Sequence, residues 1–253
     1  MMTGDTLLVI PCFRESGRIG PFLQSLHEQM AEDAALTVLV VEDGSGEEER
    51  ARMHELVERH RSAWPRLLPL LALEKNHGKG GAVYAGWAAQ PDHGHLAFVD
   101  ADGSCAAREV KRLVEAARLE PATAFFASRV CMLGRTIQRH FHRHLIGRVY
   151  ATIVSEMLGI KVYDSQCGLK MLPAKAFRAV QPFLKVKGFA FDVELLCALL
   201  DSGCPVKELP IDWHEMEGGK VRLFSDSVRM FKDVLTIKER RAGAEWRAGV
   251  RSA

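Results

Sequence analysis

The 253-residue sequence has no uninterrupted apolar run approaching the roughly 20 residues that cross a bilayer. Its N-terminus has no basic segment followed by a long apolar core, and Leu7-Leu8-Val9-Ile10 is too short for a secretory signal. The six cysteines form no CxxC pair and no metal-ligand spacing with histidine. Scattered in apolar surroundings, they read as reduced, buried small hydrophobes of a cytosolic protein. A formal net charge of only +2 gives no global case for a nucleic-acid binder. Two phosphate-binding signatures are missing as well. No G-x-x-x-x-G-K-[ST] loop is present, and no G-x-G-x-x-G follows the first apolar run. No repeat, low-complexity run or linker divides the chain, so its length suits one large α/β domain or one domain with an appendage.

What is present is a regular alternation over the first hundred residues. Thr6 to Pro11 reads as an apolar strand, and a helical pattern runs from Ser16 to about Met30. Leu36 to Val41 is a β-branched strand of the kind buried on both faces. Glu47 to Arg61 follows as an exposed helix, Leu67 to Leu73 as a third strand, and a small-residue helix (Ala82, Ala85, Ala88, Ala89) opens at Gly80-Gly81. His95 to Val99 is the fourth strand. This order predicts an α/β fold with a mostly parallel, doubly wound sheet. Beyond Leu119 the rhythm changes: strands at Thr123–Ser128, near Gly168–Leu172 and at Val206–Ile211, a loop then a long helix between Cys131 and Gly159, and helices from Asp192 and Ser225. The Gly/Ala/Arg-rich tail, 242–253, is expected to be frayed.

The unusual residues collect at strand ends, where open α/β sheets bind ligands. Asp100 and Asp102 leave the fourth strand one residue apart. They can present oxygens to Mg²⁺ or Mn²⁺, or form an Asx-turn and cap the next helix. Asp43 can accept from an imide N–H, as in recognition of a uracil ring. Lys79 and the backbone of Gly78 to Gly81, at a helix N-terminus, can face phosphate oxygens. The rim therefore suits a nucleotide diphosphate better than a dinucleotide.

A basic cluster follows. Between Pro121 and Ser155 there is no acid, yet Arg129, Arg135, Arg139, Arg143 and Arg148 fall inside. Arg135, Arg139 and Arg143 are spaced i, i+4, i+8, as on one helix face. Such like-charge pairs weaken a helix by a few tenths of a kcal/mol each, so the ladder reads as a site for an anionic partner or as a solvated face. Asp192 and Glu194 are candidate catalytic acids or acids of a helix's first turn. Trp213 to Lys220 reads as a strand leading to a Gly-rich, Lys-bearing loop that can close over phosphates.

In order, Ile10-Pro11-Cys12-Phe13-Arg14-Glu15, Val41-Glu42-Asp43-Gly44-Ser45, Asn76-His77-Gly78-Lys79-Gly80-Gly81 and Val99-Asp100-Ala101-Asp102-Gly103 resemble the nucleotide-binding half of family-two inverting glycosyltransferases with the GT-A fold. Asp164-Ser165-Gln166-Cys167-Gly168-Leu169-Lys170, Phe191-Asp192-Val193-Glu194 and Trp213 through Lys220 are similar to the dolichyl-phosphate β-glucosyltransferase branch, near the dolichol-phosphate mannosyltransferases. The resemblance implies a GT-A-like domain over 1–241, with a nucleotide-binding half (1–104) and an acceptor half (105–241) forming a C-terminal extension. It implies that Pro11, Glu15 and Asp43 hold the donor nucleoside, with Gly78, Lys79 and Asp100 nearby. Asp100 and Asp102 become the motif for Mg²⁺ or Mn²⁺, with Asp102 the direct ligand. Arg129, Arg139, Arg143 and Lys220 become the binders of the lipid phosphate, and Asp192 an organiser of the acceptor side. Two departures stand out. Eukaryotic glucosyltransferases carry an N-terminal membrane anchor, whereas this sequence starts at the first strand. Where they have Gly-Ser-Lys, it has Gly218-Gly219-Lys220, losing a hydroxyl.

The expected reaction is transfer of a hexose from a nucleotide sugar to a polyprenyl phosphate, by one displacement with inversion. UDP-glucose is the favoured donor, with GDP-mannose or an N-acetylhexosamine donor behind it. A lipid monophosphate, with a second pKa near about 6, arrives largely dianionic and needs no base. The alternative is a family-two transferase acting on a hydroxyl, with Asp192 as general base. A cytoplasmic chain, peripheral on an anionic membrane through the Arg135–Arg148 helix and the last amphipathic helix, completes the expectation, and no nucleic-acid partner is expected.

Overall fold

A computed structural model describes residues 5–138, 141–216 and 223–251, the side chains of 141–146, 148, 223–226 and 251 excepted. The first part runs β1 (Thr6–Cys12), α1 (Ile19–Met30), β2 (Leu36–Glu42), α2 (Glu47–Arg61), β3 (Leu71–Ala72), α3 (Lys79–Ala89) and β4 (His95–Val99). Then come α4 (Ala107–Leu119), β5 (Ala124–Ser128), β6 (Ile137–Gln138), α5 (Phe141–Leu158), β7 (Leu169–Pro173), α6 (Ala174–Val180) and α7 (Phe191–Asp201). The chain finishes with β8 (Val206–Pro210), β9 (Trp213–His214), α8 (Leu223–Ala242) and α9 (Ala244–Arg251).

Seven strands form one sheet in the order β3-β2-β1-β4-β7-β5-β8. All its pairings are parallel except those of β7, which runs antiparallel between β4 and β5. β1, β4, β5 and β7 are almost wholly buried, as both-face coverage by helices requires. The small-residue helix α3 approaches closely: a Cβ on Gly86 would lie 2.8 Å from Val9 and 2.9 Å from Val41. No helix among the described residues is long and apolar enough to cross a membrane.

Four expectations need correction. The third strand is only Leu71–Ala72, after a lone bridge at Leu67; Pro69 lies between them and has no N–H to give the ladder. Arg135 is not helical. Gly134 turns the chain at φ +82°, and β6 then pairs with β9 before α5 opens at Phe141, so Arg135 cannot share a helix face with Arg139 and Arg143. The described part of the tail, through Arg251, is not frayed either, because α9 buries Trp246 and Val250, one helical turn apart, in the core. Trp246 Nε1 donates to Asp201 Oδ2 at 2.9 Å, and Arg241 holds the same carboxylate through two nitrogens. Of the cysteines, Cys131 is exposed and Cys204 half-buried; the other four are buried.

Candidate active site

The carboxyl ends of β1, β2 and β4 bring the predicted donor-side residues to one rim. Asp43 follows β2 and is buried; its Oδ1 accepts the His77 N–H at 2.7 Å, which ties the β2 end to the loop before α3. Burial pushes this carboxyl up, against the pull of the His77 and Gly78 amides. Pro11 lies half-buried at the end of β1, beside Val41. Glu15 is closed on Arg18, which donates to both of its oxygens. Gly78, at φ +81°, precedes α3, and a Cβ there would meet the Lys187 carbonyl at 2.6 Å. The N–H groups expected to face phosphate are partly engaged: Gly78 donates to Asn76 Oδ1 and Gly81 to the Lys187 carbonyl.

Asp100 and Asp102 stand at the end of β4. Lys79 Nζ lies 2.6 Å from Asp100 Oδ1 and 5.5 Å from the centre of the Phe98 ring. Burial alone would lower the Lys79 pKa, but Asp100 and then Asp192 raise it, so the ammonium is firmly charged. Asp102 Oδ1 accepts the Ser104 N–H at 2.9 Å. Its carboxyl is pushed up by burial and then by the Asp100 charge, a strain that a divalent cation would relieve. Two hard oxygen ligands suit Mg²⁺ or Mn²⁺, which take substrate phosphates for the rest. No group of three His, Cys, Asp or Glu side chains able to hold a metal occurs among the described residues. The donor set thus fits a cation shared with a diphosphate rather than a cation caged by protein alone.

The residues expected on the acceptor side are held from β7 and the loop before it. Arg129 Nε donates to Asp164 Oδ2 at 2.6 Å and Nη2 to Oδ1 at 2.9 Å, while the guanidinium lies 5.0 Å from the centre of the Trp213 ring. Burial would raise the Asp164 carboxyl, but Arg129 holds it far below the usual carboxylate range. Asp192 is buried and pairs through Oδ2 with Lys170 Nζ at 3.0 Å. Burial raises its pKa, and Lys170 and Lys79 oppose the rise. Glu194 accepts the N–H groups of Lys185 and Val186 and an Arg240 guanidinium, which makes it a strut of the loop before α7. Arg139, the Arg143 side chain and Lys220 lie outside the described residues.

Three residues in this centre were quoted in sequence motifs but given no role. Lys170 is fully buried between the Phe98 and Phe126 rings, with which it is in register on β4 and β5. The Gly168 carbonyl accepts the Asp100 N–H at 2.8 Å, and a Cβ there would lie 2.0 Å from Asp100 Oδ2. Asp164 holds Arg129. The available signal was the lysine inside Leu169-Lys170-Met171-Leu172, a charge that an interior strand keeps only with a partner. Two cavities, of about 330 and 240 Å³, lie elsewhere, one at the ends of α7, α8 and α9 and one between α1 and α4. The open rim holds the acids.

A mostly parallel sheet of this order, with paired acids leaving its central strand, is the GT-A fold of nucleotide-sugar transferases. The chain belongs to glycosyl transferase family 2, whose model matches residues 7–180, and it is a glycosyltransferase. It is 30% identical over 247 residues to the dolichyl-phosphate beta-glucosyltransferase of Saccharomyces cerevisiae, covering 91% of this chain and 73% of that one. It is 26% identical over 235 residues to the polyprenol monophosphomannose synthase of Mycolicibacterium smegmatis, covering 91% and 86%. Among solved structures, glucosyl-3-phosphoglycerate synthase of Mycobacterium tuberculosis, in complex with Mn²⁺, UDP-glucose and phosphoglyceric acid, matches with a TM-score of 0.67 at 16% identity, over 93% of this chain and 80% of that one. At that identity it shows the shared fold.

Proposed function

We propose that the chain transfers a hexose, glucose from UDP-glucose in the first instance, to a polyprenyl or dolichyl monophosphate with inversion at the anomeric carbon, using Mg²⁺ or Mn²⁺. One observation carries this reading: a five-residue loop, 164–168, holds both halves of the chemistry. Its Gly168 carbonyl fixes the Asp100 amide, and its Asp164 carboxylate fixes Arg129. Asp100 and Arg129 are therefore both tied to the same short segment. Two lipid-phosphate enzymes among the relatives point to the same acceptor class.

Charge supplies the rest. Asp43, Glu15 and Pro11 would form the nucleoside end of the donor site. A cation bound at Asp102, beside Asp100, would supply Lewis-acid stabilisation of the departing diphosphate. Lys79 places a fixed ammonium at the same rim, where negative charge builds as the sugar leaves. Arg129 has two nitrogens on Asp164, and its remaining N–H groups are left to bind and orient the acceptor phosphate. That phosphate is already dianionic at neutral pH, so no base has to take a proton from it. Asp192, paired with Lys170, fits an organising role better than that of a base that must gain and lose a proton.

The acceptor's membrane also has a matching face. Val149 and Ile153 on α5, and Val228, Phe231 and Leu235 on α8, are exposed, with Arg229 and Lys232 beside the α8 stripe. We place this face, rather than an arginine ladder, against an anionic membrane surface on its cytoplasmic side.

A donor screen tests the reading. The purified chain is incubated with Mn²⁺, radiolabelled UDP-glucose, GDP-mannose or UDP-N-acetylglucosamine, and either undecaprenyl phosphate or, in a parallel arm, the hydroxyl-bearing undecaprenol. Label should enter the organic phase from UDP-glucose, as an alkali-stable, acid-labile product. Label appearing only on a hydroxyl-bearing acceptor would overturn the phosphate reading in favour of Asp192 as a base.

A further inference from the structure

Asp192 is held by only one of its two oxygens. Oδ2 is fixed by Lys170, whose ammonium also donates to the Cys167 carbonyl at 2.6 Å. Oδ1 is buried and has no hydrogen-bond partner among the described residues. The side chain is only 2% exposed. The phenolic oxygens of Tyr84 and Tyr150 are likewise buried without partners there, and both lie within the field of the Asp192 carboxylate. Leaving a buried polar atom without a hydrogen bond costs free energy, so this oxygen and the two phenols in its field call for a polar partner that the described residues do not supply.

The chemistry of that ligand can be narrowed. A carboxylate oxygen only accepts, so the ligand must bring a donor. The acceptor phosphate as a dianion has no proton to give and would be repelled. The diphosphate of the donor also lacks one, and in the proposed reading the imide N–H of its base lies at Asp43. The hydroxyls of the sugar remain: Asp192 is 3.0 Å from the Lys170 ammonium, which lies 5.4 Å from the centre of the Phe98 ring, and Lys79, paired with Asp100, lies 5.5 Å from the same ring, so Asp192 stands next to the rim where that sugar would sit.

We infer that Asp192 Oδ1 accepts a hydrogen bond from one hydroxyl of the hexose being transferred, and that Lys170 is the positioning residue that turns this oxygen toward the sugar. Lys170 is suited to the task. Its ammonium lies between the Phe98 and Phe126 rings, 5.4 and 5.1 Å from their centres, and joins the loop that fixes Asp100 to the helix that carries Asp192. The inference rests on the proposed transfer reaction and adds a determinant of which sugar is moved.

The test uses the wild-type chain, Asp192→Asn and Lys170→Met with the nucleotide sugar that the wild type uses, and with its four monodeoxy analogues. One analogue should cost the wild type about 10- to 100-fold in kcat/KM, the range expected for an unpaired buried acceptor. Asp192→Asn should cost a similar factor on the full sugar, yet lose less than threefold more on that one analogue. On the other three analogues the two penalties should multiply. Lys170→Met should show the same pattern, mainly in kcat, and adding it to Asp192→Asn should cost little more. Penalties that multiply on all four analogues would overturn the inference and leave the transfer reaction standing. If the wild type moves no sugar to a lipid phosphate, the reading beneath falls and the inference with it. Should Lys170→Met fail to fold, Asp192→Asn decides alone.

Discussion

Asp100 and Asp102 at the end of β4 and the acids gathered around β7 are the same kind of group in opposite company. The side chain of Asp100 is 26% exposed, and Lys79 is its one close cation among the described residues. Asp102 has no ion pair there, and burial and its neighbour push it toward protonation. Around β7, by contrast, three acids each have a cation: Asp164 has Arg129, Asp192 has Lys170 and Glu194 has Arg240. The first arrangement is incomplete without a foreign positive charge. The second has its charges paired within the protein, which holds Arg129 and Asp192 in position. A transferase that handles a diphosphate and a phosphate needs both, a rim that recruits a cation and a wall that stays in place as charge moves past it.

Breaking the rim should give the largest effect. Asp102→Asn removes the charge that a divalent ion would use, and transfer should fall by at least about 10³-fold, or some 4 kcal/mol of barrier. Rates at saturating Mn²⁺ measure it, with calorimetry of UDP binding alongside. A loss under tenfold would mean that the rim is not where the sugar departs.

Breaking the wall should act on folding as well as on the acceptor site that Arg129 serves. Asp164→Asn strands the Arg129 guanidinium in a largely buried position, and stability in urea should drop by about 3 kcal/mol. The pH dependence has a definite sign. Asp164 has a depressed pKa in the fold, so its stabilisation is fully present above the unfolded value near about 4 and is lost as pH falls below it. The wild type should therefore weaken below about pH 4 more steeply than the Asn variant. Parallel acid profiles would show that the pair does not hold the wall.

A smaller change separates the two regions at their junction. Gly168→Ala puts a methyl where Asp100 Oδ2 now lies, so the carboxylate must move although nothing acidic is removed. We expect about a 100-fold loss of rate, some 2.7 kcal/mol, with Lys170–Asp192 and overall stability nearly intact. If rate and melting temperature fall together, the loop serves the fold and not Asp100.

The rim was legible in the sequence because short acids and glycines punctuate strand ends, and each strand end appears once and in order. The wall was not. Lys170 looked like part of a motif, and its partner lies 22 residues away on another element, a pairing that no local spacing records. Arg135 misled for the opposite reason, since its spacing to Arg139 was helical but Gly134 and the β6–β9 pair hold it outside the helix. The tail misled through composition, where Gly, Ala and Arg outweighed the single turn that sets Trp246 over Val250.

The smallest prediction asks whether burial, and not pairing as such, makes the wall. α2 displays the same chemistry in water: Arg59 pairs with Glu55 one turn away, at 2.9 Å, with side chains 72% and 75% exposed. Water screens both charges, and holding two long side chains together costs entropy, so Glu55→Gln should cost under about 0.5 kcal/mol. In 0.5 M salt the difference should vanish, because exposed charges are then screened within a few ångströms. The Asp164→Asn penalty should survive the same salt. If salt erases both alike, the wall is no more than another surface ladder, and the contrast between the two regions does not exist.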